Sequence, residues 1–115
     1  MLFRSPFSRP LAIVVDGGSA STSEIFAGGM QKLGRATVVG RRTAGAALPA
    51  HLIKLPNGDR FMYAVADFLG PDGKTIEGVG VPPDREIPID RDLIADRRDP
   101  DLATAVEFIL SESND

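Results

Sequence analysis

The residues with the clearest capacity for chemistry lie at 14–25, where the sequence reads VVDGGSASTSEI. The apolar run at 11–15 predicts a buried strand. Asp16-Gly17-Gly18 ends it, and a turn of small residues delivers a helix that begins near Ser21. A strand that passes through a tight Gly/Ser turn into a helix sets a small hydroxyl at the helix N-terminus. Free backbone N–H groups and the positive end of the helix dipole there can stabilise an oxyanion. Such a serine suits nucleophilic attack, provided that a base can take its proton. The same residues carry a purely structural reading: Ser21-Thr22-Ser23-Glu24 is a capping box, with Ser21 as N-cap and Glu24 reaching back to its N–H. The two roles are compatible.

Few other side chains compete for a chemical role. There is no cysteine, which excludes thiolate chemistry, disulfides and cysteine-based metal sites. The single histidine argues against a histidine metal cluster, and no cofactor is expected. That histidine, His51, falls on an expected strand and reads as a strand residue rather than a base. Arg41 and Arg42 read as surface charge, with bidentate pairing to a substrate's C-terminal carboxylate as the alternative. Glu77 sits beside a glycine turn and by default is solvated. A net charge of -3 argues against nucleic acid and anionic membrane surfaces as principal partners. No apolar run approaches the roughly 18 residues of a membrane span.

The elements that must position Ser21 follow from period and turn signals. Residues 23–33 have helical spacing, with Ile25, Phe26, Gly29, Met30 and Leu33 on one face and Gly34 as the stop. The ATVVG run at 36–40 predicts a second strand, so strand, helix and strand make a βαβ-like unit with a parallel pair. Strands at 48–55 and 60–69 flank Asn57-Gly58, a strong hairpin signal. A short strand is expected at 86–89. Residues 91–101 read as a charged linker, after which Asp99 as cap and Pro100 at the first position open an amphipathic helix to about Leu110. Leu102, Val106, Ile109 and Leu110 share one of its faces. Residues 112–115 are expected to fray.

The ordered stretches GGSASTSEIFAGGMQKLGRATVVGRRTAG, LPNGDRF and IEGVGVPPD resemble the C-terminal (tail-specific) processing peptidases, the S41-type serine peptidases. The resemblance runs over about 10–89. It implies an α/β, ClpP/crotonase-like (ββα) fold, here as part of a catalytic domain with a C-terminal helix. It also implies Ser21 as nucleophile, the Thr22 N–H as one oxyanion donor, polypeptide substrates cut near their C-termini, and a location outside the cytoplasm. Homo-oligomers and a PDZ-like upstream domain are further expectations of the resemblance.

One position departs from the family pattern. Where these peptidases carry a general-base lysine, the loop Thr43-Ala44-Gly45-Ala46-Ala47 has Ala46. Relatives of the tricorn-protease type use Ser, His and Glu instead, and Glu77 occupies the place of their glutamate, with the histidine expected upstream of this chain. The alternative is an inactive domain that binds peptides or apolar ligands, as retinoid-binding relatives do. Residues 1–9 are expected to be non-native or flexible, since LFRS at 2–5 matches a translated sequencing adapter. Residues 10–90 then form the catalytic core of a longer protein, 91–115 its linker and last helix, and the isolated piece is expected to have little activity.

Overall fold

The computed structural model describes residues 7–113. The expectations for residues 1–6 and 114–115 therefore lie outside the described residues. Strand β1 (Ala12–Val15) leads into helix α1 (Thr22–Lys32) and then strand β2 (Thr37–Gly40). β1 and β2 pair in parallel, from Ala12 opposite Thr37 to Val15 opposite Gly40, so α1 is the crossover of a βαβ unit. A hairpin of β3 (Ala50–Lys54) and β4 (Arg60–Ala64) projects as a separate two-stranded sheet. The two-residue strand β5 (Arg85–Glu86) then joins the other side of β2, also in parallel, giving the order β1-β2-β5. Helices α2 (Arg91–Ala95) and α3 (Pro100–Glu112) end the fold.

Two apolar clusters hold these layers. Val15, Ala27 and Val38, with Ile13 against them, join α1 to the sheet. Ala47, Ile76 and Val81, with Ile25 and Phe68, fasten the loops around α1. Gly40 makes the route between them possible. Its φ is +122°, and a Cβ there would stand 2.1 Å from the Val15 carbonyl oxygen. Any side chain would collide with β1 at the point where the chain turns back toward Ser21.

Neither long helix buries its apolar face whole. In α1 the buried residues are Glu24, Ala27 and Gly28, whereas Phe26 and Leu33 are exposed. In α3 they are Asp101 and Ala105, whereas Leu102, Val106 and Leu110 are exposed. Apolar periodicity locates a helix but cannot register a buried carboxylate, and each helix turns its acid inward. The linker expected at 91–101 contains α2, whose cap Asp90 accepts the N–H groups of Asp92 and Leu93. The cap at Asp99 and Pro100 opens α3 as the sequence indicates.

Asp101 explains the register of α3. Arg41, read from the sequence as surface charge, forms a two-pronged pair with it, Nη1 to Oδ1 at 3.0 Å and Nη2 to Oδ2 at 2.6 Å. The bidentate geometry anticipated for Arg41 is thus present, but its carboxylate belongs to the protein. Arg41 Nη1 also donates to the Ile87 carbonyl, so one guanidinium fastens α3 to the end of the sheet. Replacing Arg41 with Met leaves Asp101 nearly buried and without its cation, which should cost about 2–3 kcal/mol in denaturant unfolding. Hydrogen exchange should report the loss first in α3.

Candidate active site

A single carboxylate organises the front of α1. Glu24 is fully buried, and both of its oxygens are engaged. Oε1 accepts the Thr43 hydroxyl at 2.5 Å and the Gly45 N–H at 2.7 Å. Oε2 accepts the Ala46 N–H at 2.8 Å and the Ser21 N–H at 3.2 Å. Burial by itself raises the Glu24 carboxyl. The Thr43 hydroxyl and the three amides outweigh it and hold the group below the ordinary glutamate range. Thr43 in turn accepts the Val81 N–H through its hydroxyl oxygen at 2.7 Å. Glu24 therefore does reach back to the Ser21 N–H, as a capping partner should, and also binds the 43–46 loop to the helix.

That loop fixes Ser21 in an uncommon conformation. Ser21 has φ 58° and ψ −128°, a combination that an L-residue adopts only when its surroundings impose it. Its N–H donates to the Ala46 carbonyl at 2.8 Å as well as to Glu24, and Ala44 N–H donates to the Ser19 carbonyl at 3.0 Å. A serine forced to positive φ between a strand and a helix is the backbone arrangement of a nucleophile elbow. The expected turn glycines, Gly17 and Gly18, have ordinary φ, so the unusual backbone is at the serine itself. Thr22 is the first residue of α1, and among the described residues its N–H meets no acceptor.

Ser21 and Glu77 share one open cleft of about 540 Å³, together with Ala46, Leu48, Pro49 and Met62. Glu77 is half-buried rather than solvated. Its Oε2 accepts the Ala47 N–H at 2.7 Å and the Leu48 N–H at 3.2 Å, while Oε1 has no partner among the described residues. Ala46 thus stands directly beside Ser21, with no amine to offer. His51 does not line the cleft; it lies on the exposed hairpin, edge-on to Tyr63 across the strand pair. Among the described residues, neither lysine nor histidine lines this cleft.

Two residues, Thr43 and Asp84, have supporting roles that the sequence pattern does not reveal. Thr43 links Glu24 to Val81, and Asp84 accepts the Val38 N–H at 2.8 Å and the Gln31 amide at 2.9 Å. The Gly-Val-Gly-Val-Pro-Pro-Asp segment is therefore a brace across β2 and α1. Gly80 shows how close that brace lies: at φ +71°, a Cβ would be 2.5 Å from the Thr43 carbonyl oxygen. The only local signal for Thr43 is a polar residue in a loop of small ones.

Two outcomes follow from this geometry. Because Glu24 is a stronger acid when folded, its contribution is fully present above the unfolded glutamate value of about 4.3. It is lost as pH falls through the lower folded value. Glu24→Gln should cost about 2–3 kcal/mol at neutral pH and flatten the acid limb of a stability–pH curve. Relieving the strain at Ser21 should have the opposite sign: Ser21→Gly should unfold at higher denaturant than Ser21→Ala, by about 1 kcal/mol.

The model of Peptidase family S41 matches residues 4–87. The carboxyl-terminal-processing peptidase 3, chloroplastic, of Arabidopsis thaliana is 41% identical over 75 residues, which are 65% of this chain and 14% of that protein. A carboxyl-terminal-processing protease of Picosynechococcus sp. is 39% identical over 79 residues, 69% of this chain and 19% of that protein. This chain thus spans less than a fifth of the length of these relatives. Among solved structures, a photosystem II D1 C-terminal processing protease aligns with a TM-score of 0.57 at 33% identity. The alignment covers 72% of this chain and 23% of that one. The tricorn protease aligns with a TM-score of 0.85 over 92% of this chain and 11% of its own, and at 23% identity this speaks for the fold alone. The matched span takes in the Ser21 turn, the 43–46 loop and the 76–84 brace: the chain has the α/β, ClpP/crotonase-like fold and belongs to peptidase family S41.

Proposed function

We propose that this chain carries the nucleophile side of a serine peptidase site that cuts polypeptides near their C-termini. In this reading Ser21 is the nucleophile, Thr22 supplies an oxyanion N–H, and Glu77 orients a histidine from polypeptide outside this chain. The observation that carries it is the shared cleft, where a strained serine and a half-committed carboxylate meet with no lysine between them. The relatives' names describe carboxyl-terminal processing, which supports the substrate class. A location outside the cytoplasm belongs to the same proposal.

The chemistry follows from the donors and acceptors present. Ser21 Oγ attacks the scissile carbonyl carbon while its proton passes to the imidazole. The carbonyl oxygen becomes an oxyanion, which the Thr22 N–H stabilises. Collapse expels the amine, which takes the proton from the imidazolium, and leaves an acyl-enzyme at Ser21. Water, deprotonated by the same imidazole, then releases the acid. Glu77 keeps its Oε2 on the Ala47 and Leu48 amides and has Oε1 free to accept the imidazole Nδ1–H. Two backbone bonds fix its carboxylate, so the imidazole meets an acceptor that is already oriented.

Ala46 favours a second reading, a domain that keeps the fold and binds extended peptides or apolar ligands without cleaving them. Steady-state hydrolysis by a polypeptide long enough to supply the imidazole separates the two. The peptidase reading expects Ser21→Ala to abolish turnover and Glu77→Gln to lower kcat by about 10³–10⁴. Undiminished cleavage by Ser21→Ala would remove Ser21 as the nucleophile. No cleavage by the unaltered polypeptide, with measurable peptide binding, would favour the binding module.

A further inference from the structure

Behind the turn that bears Glu77 is a second cavity, of about 170 Å³, which shares no lining residue with the Ser21 cleft. Gly28, Ile76 and Val81 form its apolar walls. Gly28 lets α1 approach this wall closely, because a Cβ there would come within 3.0 Å of Val81 Cγ2. Apolar walls around a volume of this size suit a single ring or a short branched chain; an apolar cavity of about 150 Å³ is enough to hold benzene.

The rim gives the ligand its charge. In a chain of net charge -3, it gathers Lys32, Arg42 and Lys74 against the one carboxylate of Asp72. Asp72 is already paired with Lys32 at 3.3 Å. Arg42 spends Nη1 on the Val79 carbonyl at 3.0 Å, and its other donors have no partner among the described residues. The Lys74 ammonium likewise has none there. Two cations that meet no carboxylate among the described residues therefore line an apolar pocket. Beside low-dielectric walls their attraction for an anion is stronger than in open water.

We propose that this pocket binds a small monocarboxylate bearing one apolar group, with the carboxylate between Arg42 and Lys74 and the apolar group against Ile76 and Val81. The proposal is independent of the peptidase reading, since neither Arg42 nor Lys74 belongs to the Ser21 cleft. It is tested by NMR titration of the full nitrogen-labelled chain with benzoate, using benzamide and acetate as controls at constant ionic strength. Saturable shifts should concentrate on the amides of Gly28, Ile76, Val79 and Val81. Benzoate should bind about tenfold more tightly than either control, since each control lacks one of the two recognised features. Lys74→Gln, a change at an exposed side chain, and Arg42→Gln should each weaken benzoate about three- to tenfold and leave benzamide unchanged. Equal binding of benzoate and benzamide, shifts scattered over the surface, or no saturation by about 50 mM would overturn the proposal.

Discussion

The burial of one carboxylate at the start of α1 is the constraint on which the rest of this structure depends. Glu24 is fully buried and pairs with no cation among the described residues, so its charge is balanced by directed N–H and O–H dipoles. Those donors come from the helix's own N-terminus and from the loop after β2. Satisfying the carboxylate therefore brings two distant segments into one geometry. Ser21 inherits its positive φ from that arrangement, because its N–H must face both Glu24 and the Ala46 carbonyl.

The same network reaches the other end of the cleft. Thr43 joins Glu24 to Val81, and Gly78 N–H donates to the Gly45 carbonyl at 2.8 Å. The turn that holds Glu77 is thus tied to the loop that holds Ser21. Glu77 then returns the connection by accepting Ala47 and Leu48. The two carboxylates have different tasks. Glu24 uses both oxygens and is closed to further chemistry, whereas Glu77 has one oxygen without a partner among the described residues. Ala46 serves this framework through its backbone N–H and carbonyl alone, which any side chain at that position would leave available.

Much of this was legible in the residues themselves. Apolar runs and glycine stops reveal β1, α1, β2 and the Asn57-Gly58 hairpin, since burial periodicity and turn chemistry are local properties. The serine turn, Thr22 and Glu77 could be singled out by pattern and resemblance. What local pattern hides is tertiary satisfaction of polar groups. Glu24 looks like a cap and Arg41 like surface charge until Thr43 and Asp101, 19 and 60 residues further on, are seen facing them. The inward faces of α1 and α3 were obscured for the same reason. A helix that buries an acid cannot be registered from its leucines and phenylalanines, and an apolar stripe such as Leu102 and Val106 can remain exposed.

In the proposed site, Ser21 is a reactive nucleophile served by an imidazole from beyond this chain. The most direct measurement is peptide mapping by mass spectrometry after a serine-directed fluorophosphonate has reacted with a polypeptide that carries both. The account predicts a single stoichiometric adduct on Ser21, forming faster as pH rises through the imidazole range of about 6–7. An unmodified Ser21 under those conditions, or an adduct on Ser19 or Ser23 in its place, would contradict it.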